Sequence, residues 1–354
     1  MGLVSLSLHE FRCFDQVGLE FSPQINVIWG ANASGKTSLL EAVFLLSRGR
    51  SFRSGHLEPL ARYGSRGFRV IGKIEGARGG TTTIGLERQQ GNLRVRVGGR
   101  PANSLAELAD MLPVQLVDNQ AHLLIDGGPR HRRQFLDWGV FHVEPAFFEA
   151  WKRYQRAVRQ RNTLLRGGKS VREVQSWDAE LVASGELLDR FRYRYLNALT
   201  ETAVQWTKEA LGGLEVRLEY RRGWSENQGL EQALQAGLDR DRQQGGTQIG
   251  PHRADLNIKV DGHPARDRIS RGQEKALAGT LLLAQAALYR QSTGKTAILL
   301  LDDLPAEFDP EYLARFSEQV QATGAQTLIT AIDPADLPTS LQPKVFHVEQ
   351  GKVV

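Results

Sequence analysis

The chain reads as an α/β protein: a P-loop head with a mixed sheet, interrupted by a mainly helical second lobe. Three observations predict this. The apolar run "INVIWG" leads into the glycine-bearing loop "GANASGKTS" and then into a helical pattern. Residues 129–245 read as amphipathic helices. After them strand and helix patterns alternate again, as in layered α/β folds. The expected division is a head of residues 1–128 and 246–354, with the helical lobe at 129–245.

Taken in order, "LVSLSLHEF" alternates as a half-buried strand does, and "INVIW" is a compact buried strand. Residues 38–47 predict a helix. "FRVIGKIEG", "TTTIGLERQ" and "NLRVRV" are β-like runs separated by "GARGG" and "QGN", which predicts hairpins. Between residues 144 and 166, Phe147, Trp151, Tyr154, Val158 and Leu165 recur at helical spacing. Trp177, Leu181, Leu188, Phe191, Tyr195 and Leu199 do the same for a second helix. Both segments are short, so a long coiled coil is not expected. "ADLNIKV", "TAILLLD", "QTLITA" and "KVFHVE" return to strand patterns, with helices at 269–291 and near 311–321.

The 354 residues are enough for two domains, or for one split by an insertion. A net charge of +5 is compatible with a nucleic-acid partner. The single cysteine, Cys13, excludes an intramolecular disulfide and fits a reducing, cytoplasmic setting. No cysteine–histidine cluster points to zinc. The start "MGLVSLSLHEFR" has no signal-peptide pattern, and runs such as "AILLL" are too short to span a bilayer.

Residues 30–38, Gly30, Ala31, Asn32, Ala33, Ser34, Gly35, Lys36, Thr37 and Ser38, fit G-x-x-x-x-G-K-[ST] between a strand and a helix. Gly30 and Gly35 let the backbone approach phosphates. Successive N–H groups form an anion nest backed by the helix dipole. Lys36 is expected to reach the β- and γ-phosphates of ATP, and Thr37 to hold Mg²⁺. "AILLLDD" places two carboxylates at the end of a buried strand. Asp302 is expected to serve Mg²⁺, and Asp303 to orient or deprotonate the attacking water.

The order of motifs then carries a resemblance. "SRGQ", Ser270, Arg271, Gly272 and Gln273, opens a helix about thirty residues before the two acids. Alone it is a serine N-cap. In this order the chain resembles ATP-binding-cassette ATPases, whose signature helix has the form S-G-G-Q. The resemblance implies a composite site in which these residues contact the nucleotide of a second head, with "AEFD" in the loop that meets the partner. It also implies a glutamine serving Mg²⁺ after a mid-chain strand, where Gln120 stands. Two positions depart from the transporter pattern. Asp303 replaces the usual, longer glutamate, which implies slow hydrolysis. Thr330 stands where a switch histidine would. An ATPase subunit of a membrane transporter is the alternative; it would need a membrane partner, a clear glutamine loop and a switch histidine, and this chain gives no good match for the latter two.

"HEFRCF", "LLEAVFLLSRGRSFRS", "GGPRHRRQFLD" and "TQIGPHRADL" narrow the resemblance to the RecF family of bacterial recombination mediators. It implies a DNA-binding ATPase of gap repair and replication restart that works with RecR and RecO to load RecA. It also implies ATP-dependent homodimers, and Arg12 near the nucleotide. "GPHR" and "RRQFLD" remain open between a contact role and a structural one.

The insertion itself supports DNA binding. Residues 150–172 carry eight basic residues and no acidic one: Lys152, Arg153, Arg156, Arg159, Arg161, Arg166, Lys169 and Arg172. Arg190, Arg192 and Arg194 follow. Arg53, Arg130, Arg132 and Arg133 are further candidates. The plainer reading is a solvated helix face. No base-reading motif is present, so binding should follow DNA structure and weaken with salt.

Overall fold

The computed structural model describes residues 2–76 and 79–354, and within these the side chains of Ala306 and Glu307 lie outside the description. The turn expected at "GARGG" contains Ala77 and Arg78, which are outside the described residues. The chain divides into two compact units, Met1–Ala121 with Lys275–Val354, and His122–Glu274.

The first unit opens with β1 (Gly2–Phe11) and β2 (Phe14–Glu20), then β3 (Ile25–Trp29) and α1 (Lys36–Arg48). Next come β4 (Gly67–Glu75), β5 (Thr81–Gln89), β6 (Asn92–Val97) and β7 (Arg100–Pro101), then α2 (Leu105–Met111) and β8 (Val114–Val117). An antiparallel sheet runs β2-β1-β4-β5-β6-β7. Its alternation puts Leu6, Leu8, Val70, Ile84 and Leu86 on one buried face. These side chains share a core with α1, whose Leu39, Leu40, Ala42, Val43, Leu45 and Leu46 are fully buried. A helix buried on most sides shows little amphipathic contrast, and this one ends where Gly49 turns left-handed (φ 64).

The second unit holds α3 (Pro129–Val143), α4 (Phe147–Arg166), α5 (Val171–Gln175) and α6 (Asp178–Ala210). β9 (Val216–Arg221), α7 (Leu230–Ala236), α8 (Leu238–Gln244), β10 (Asp255–Val260), β11 (His263–Pro264) and α9 (Ala265–Arg268) complete it. α6 runs 33 residues, about 50 Å at helical rise, and is longer than the sequence pattern predicted.

The division falls elsewhere than the expected boundaries at 128/129 and 245/246. "ADLNIKV", expected in the head, is β10, the middle strand of a three-stranded sheet β11-β10-β9 in the second unit. Buried and half-buried hydrogen bonds explain why 246–264 stays with the helices. Arg132 on α3 pairs with Asp255 (Nε to Oδ1 2.8 Å, Nη2 to Oδ2 3.0 Å), and Arg133 donates to the Ala254 carbonyl at 2.8 Å. Arg192 on α6 donates to the Pro251 carbonyl at 2.7 Å while its other edge holds Asp137.

The chain returns to the first unit within α10 (Arg271–Thr293). β12 (Ile298–Leu301), α11 (Leu304–Glu307), α12 (Pro310–Thr323), β13 (Gln326–Ala331), β14 (Lys344–Glu349) and β15 (Lys352–Val353) follow. They build the central sheet β15-β14-β3-β13-β12-β8, parallel except for the β14–β15 hairpin. β3, β12 and β13 are almost wholly buried, which is why they read as unbroken apolar runs. The Gln326 side chain ties the two sheets of this unit, accepting from the Leu3 N–H (2.7 Å) and donating to the Leu3 (2.9 Å) and Ser22 (2.7 Å) carbonyls.

Candidate functional site

Parallel pairing aligns the C-terminal ends of β3, β13, β12 and β8: Trp29 is beside Ala331, and Leu301 is beside both Ile329 and Val117. The loops that follow these strands therefore emerge along one edge, the place where open α/β sheets bind ligands. The P-loop follows β3. Gly30 (φ 148) has no room for a side chain, since a Cβ would lie 2.2 Å from the Val348 carbonyl oxygen. Gly35 (φ 122) is equally closed in, with Cys13 Sγ and a Phe14 ring carbon each 2.7 Å from that position. Gly35 caps α1 without a side chain, and the first turn carries no acid, so its N–H groups and positive dipole stay available to an anion.

Lys36 is nearly buried, and its ammonium donates to the Gly30 (2.8 Å) and Ala31 (3.0 Å) carbonyls. The Thr37 hydroxyl donates to Asp302 Oδ1 at 2.9 Å. Thr330 donates to the same oxygen at 2.8 Å and accepts from the Asp303 N–H at 2.7 Å. Burial raises the Asp302 carboxyl above the ordinary aspartate range, against its bonds to Thr330 and Thr37. Asp303 takes a left-handed conformation (φ 50), uncommon for a non-glycine residue, and its Oδ1 is buried without a partner. Ser34 Oγ in the loop is also buried and unpartnered.

These features fit a magnesium nucleotide: a glycine-bounded anion nest, a lysine beside it, a threonine hydroxyl and carboxylate as hard oxygen donors, and two orphaned polar atoms. Gln120 follows β8 at the same strand edge, but its side chain is exposed and its N–H is turned to Asp118 (3.0 Å). Arg12 lies in the β1–β2 turn (φ 57). It grips the fully buried Glu41 of α1 with two bonds (2.7 and 2.6 Å) and donates to the Pro59 carbonyl at 2.8 Å. Ser51 also donates to Glu41, and Arg53 stands 3.8 Å from it. Arg53 thus lies by Glu41 behind α1, and its positive charge is a minor influence that lowers the Asp302 carboxyl.

At the start of α10, Ser270 Oγ accepts from the Gln273 N–H (3.3 Å) while Gln273 Oε1 accepts from the Ser270 N–H (3.0 Å). This is a capping box, with glutamine in the third position. Ser270, Arg271 and Gly272 remain exposed, and a Cβ on Gly272 would meet nothing nearer than Ser270 Oγ at 4.0 Å. Of "AEFD", the Asp309 side chain caps α12 by accepting from the Tyr312 N–H, and the Ala306 and Glu307 side chains lie outside the description.

The basic residues of the second unit separate into two groups. Arg161 is fully buried between Asp178 (2.8 Å), Asp241 (2.5 Å) and Thr247 (3.0 Å), and Arg192 is buried against Asp137 (2.8 Å). With Arg132 and Arg133 these four hold the unit together. Lys152, Arg153, Arg156, Arg159, Arg166, Lys169 and Arg172 are exposed, as are Arg130, Arg190 and Arg194. Lys152 pairs with Glu149 and Arg153 with Glu180. "GPHR" also turns inward. His252 Nε2 donates to the Thr247 carbonyl (2.8 Å), which leaves Nδ1 to accept from the Tyr154 hydroxyl (2.6 Å).

Sequence reading missed Glu41 as the hub behind the P-loop helix, since no motif marks a buried acid there. It also missed a second basic surface. The outward face of the antiparallel sheet brings Arg69 and Lys73 of β4 into register with β5, and Arg94 and Arg96 of β6 flank Glu87. The alternation in "NLRVRV" is the signal that could have found it.

Fold and site together define an ATP-binding-cassette-type ATPase head of the SMC-like class. The RecF/RecN/SMC N-terminal domain family matches residues 2–352. The DNA replication and repair protein RecF of Pseudomonas paraeruginosa strain PA7 is 40% identical over 359 aligned positions, covering 100% of this chain and 97% of that protein. The chain belongs to the RecF family. A solved structure of the recombination mediator protein RecF with ATP superposes with a TM-score of 0.88 at 27% identity, covering 99% of this chain and 96% of that one. The Smc head domain from Pyrococcus furiosus shares the fold, with a TM-score of 0.61 at 16% identity and coverage of 99% and 95%. Among the described residues no helix is long and apolar enough to cross a membrane.

Proposed function

We propose that this protein is an ATP-dependent DNA-binding switch of recombinational repair and replication restart. The observation that carries it is the convergence of Lys36, Thr37 and Asp302 at one strand edge, in a chain whose exposed signature helix start is left open to another molecule. Bound ATP with Mg²⁺ supplies a hydrolysable phosphoanhydride and the negative charge that the nest is built to receive.

The residues of this chain then divide the work. Lys36 exchanges two carbonyl oxygens for phosphate oxygens. Thr37 and Asp302 hold the metal, joined by Gln120 if its turn swings inward. Thr330 keeps Asp302 and Asp303 in register. Asp303 positions the attacking water; being one methylene shorter than glutamate, it makes hydrolysis slow and suits a switch more than a pump. Arg53 is assigned to the nucleotide phosphates rather than to DNA, and Arg12 acts through Glu41. Ser270, Arg271, Gly272 and Gln273 complete the site of a second copy, so ATP produces a homodimer.

The exposed basic residues of α4, with Arg130, meet DNA phosphates at duplex, gapped or junction sites without base readout. Family membership supports work with RecR and RecO in loading RecA, in the cytoplasm. One measurement tests the core of this reading: mass in solution with and without ATP. Ser270→Arg should keep monomeric ATP binding and lose ATP-dependent dimers. A Ser270→Arg protein that still dimerises with ATP sinks the shared-site reading.

A further inference from the structure

The second unit carries a cleft of about 600 Å³ lined by Arg153, Arg156, Ser176, Trp177 and Glu180. We propose that it receives one unpaired DNA base, stacked between the Trp177 indole and the Arg156 guanidinium, so that the protein prefers a single-strand/duplex boundary over continuous duplex. The inference rests on the DNA-binding reading above and extends it from phosphates to a base.

The floor of the cleft is held in place before any ligand arrives. Trp177 immediately precedes α6, and its carbonyl accepts from the Leu181 N–H at 3.0 Å. Just before it, α5 starts in a reciprocal capping box between Ser170 and Glu173, and Ser176 Oγ donates to the Glu173 carbonyl at 2.7 Å. Little ordering is left to be done on binding.

The charges of the walls do not cancel. Arg153 holds Glu180 with two bonds (2.6 and 3.0 Å), which satisfies the one carboxylate of the cleft. Arg156 is exposed and lies over the Trp177 ring at 5.9 Å from guanidinium carbon to centroid, near the outer limit of a cation–π contact. Two stacking intervals of ~3.4 Å require about 7 Å. The 5.9 Å distance falls short of that, so a base enters by outward movement of the exposed Arg156 side chain, which leaves the indole and the guanidinium on its two faces.

The surroundings favour a nucleic-acid strand over an acidic peptide. Exposed Lys152, Arg159 and Arg166 continue along α4, and Lys169 and Arg172 follow it in the chain. From 152 to 166 the helix rises about 21 Å, a span suited to successive phosphates rather than to one carboxylate. A flat indole beside a line of cations is the arrangement that binds single strands without reading sequence.

The test uses the full-length protein with ATP, Mg²⁺ and two DNAs: a blunt duplex, and a gapped duplex with 2-aminopurine at the first unpaired position. Wild type should bind the gapped DNA roughly tenfold more tightly and quench the probe. Trp177→Ala should lose both effects and keep its affinity for blunt duplex, while Trp177→Phe keeps both. Should Trp177→Ala fail to fold, Arg156→Gln must reduce the same preference. A preference that survives in Trp177→Ala overturns the inference, as does a cleft filled by a glutamate-rich peptide that competes with neither DNA. Equal binding of the two DNAs by wild type overturns this inference alone. No binding of either DNA removes the DNA-binding reading with it.

Discussion

In the first unit the residues with a chemical reason to be functional stay where the motif puts them. Thr37 and Asp302 meet within hydrogen-bond range although Asp302 is 265 residues downstream, and Lys36 lies against the Gly30 and Ala31 carbonyls of the same loop. In the second unit a run of eight basic residues divides. Arg161 vanishes into the core, and its neighbours remain in solvent. The same holds for "RRQFLD" and "GPHR", whose Arg132, Arg133 and His252 brace helices against β10 and its approach. The difference lies in what makes each site. A P-loop is built from backbone N–H groups and glycine conformations, which travel with the local sequence. A basic surface is built from long side chains, and any of them that meets a carboxylate from distant chain is drawn inward, as Arg161 is by Asp241.

The sharpest way to break this comparison is Arg161→Ala. Asp241 is fully buried beside it, so the variant leaves an uncompensated carboxylate and should cost about 4 kcal/mol, read as a lower urea midpoint. A loss below 1 kcal/mol would mean that Arg161 belongs with the surface residues after all.

Lys36→Met removes the charged donor of the nest. It should weaken Mg-ATP binding by about 3 kcal/mol, on the order of a hundredfold, in titration calorimetry, with the unfolding midpoint little changed. Unchanged ATP affinity would show that the backbone suffices without the lysine.

pH separates the two regions further. Burial is the main cause that lowers the His252 imidazole to about 4, assisted by Arg253 and Arg133 and opposed by its Thr247 bond and Asp241. The unfolded chain, near 6.5, then binds the extra proton between these values. The contribution is complete above about pH 6.5 and falls as the pH drops towards 4, by up to about 3 kcal/mol. Urea midpoints across that window should fall in wild type and flatten in His252→Gln. The same slope in both would remove His252 from the brace.

The smallest effect belongs to Arg159, whose exposed guanidinium makes a 3.3 Å contact to the Gln155 carbonyl. Arg159→Gln should leave stability within about 0.5 kcal/mol, weaken DNA binding a few-fold and reduce the salt slope by about one. Filter binding across a salt series checks it, and an unaltered slope would take Arg159 out of the interface.

Much of the first unit was legible because its signals are short-range. "INVIW", "AILLL" and "QTLITA" are buried on both faces and so read as continuous apolar runs. The loop after the first of them carries its own conformational requirements. Less of the second unit was legible. "ADLNIKV" alternates as a strand, but alternation does not name a partner, and its pairing with β9 moved 29 residues from the expected head into the other unit. Arg53 sat in a family stretch that the sequence could not place in space; in the fold it stands 3.8 Å from the buried Glu41 of α1.

By itself, then, the sequence determined the nucleotide loop, the acids that face it and the helix start that caps itself, because each depends on the conformation of a few consecutive residues. Only the tertiary structure decided which arginines are interior, where the second unit ends, and that Trp177 and Arg156 share a cleft. Those outcomes depend on which distant groups come within a few ångströms, and desolvation sharpens the result: Arg161, beside the buried Asp241, is held in the core, and Arg159 on the same helix stays in water.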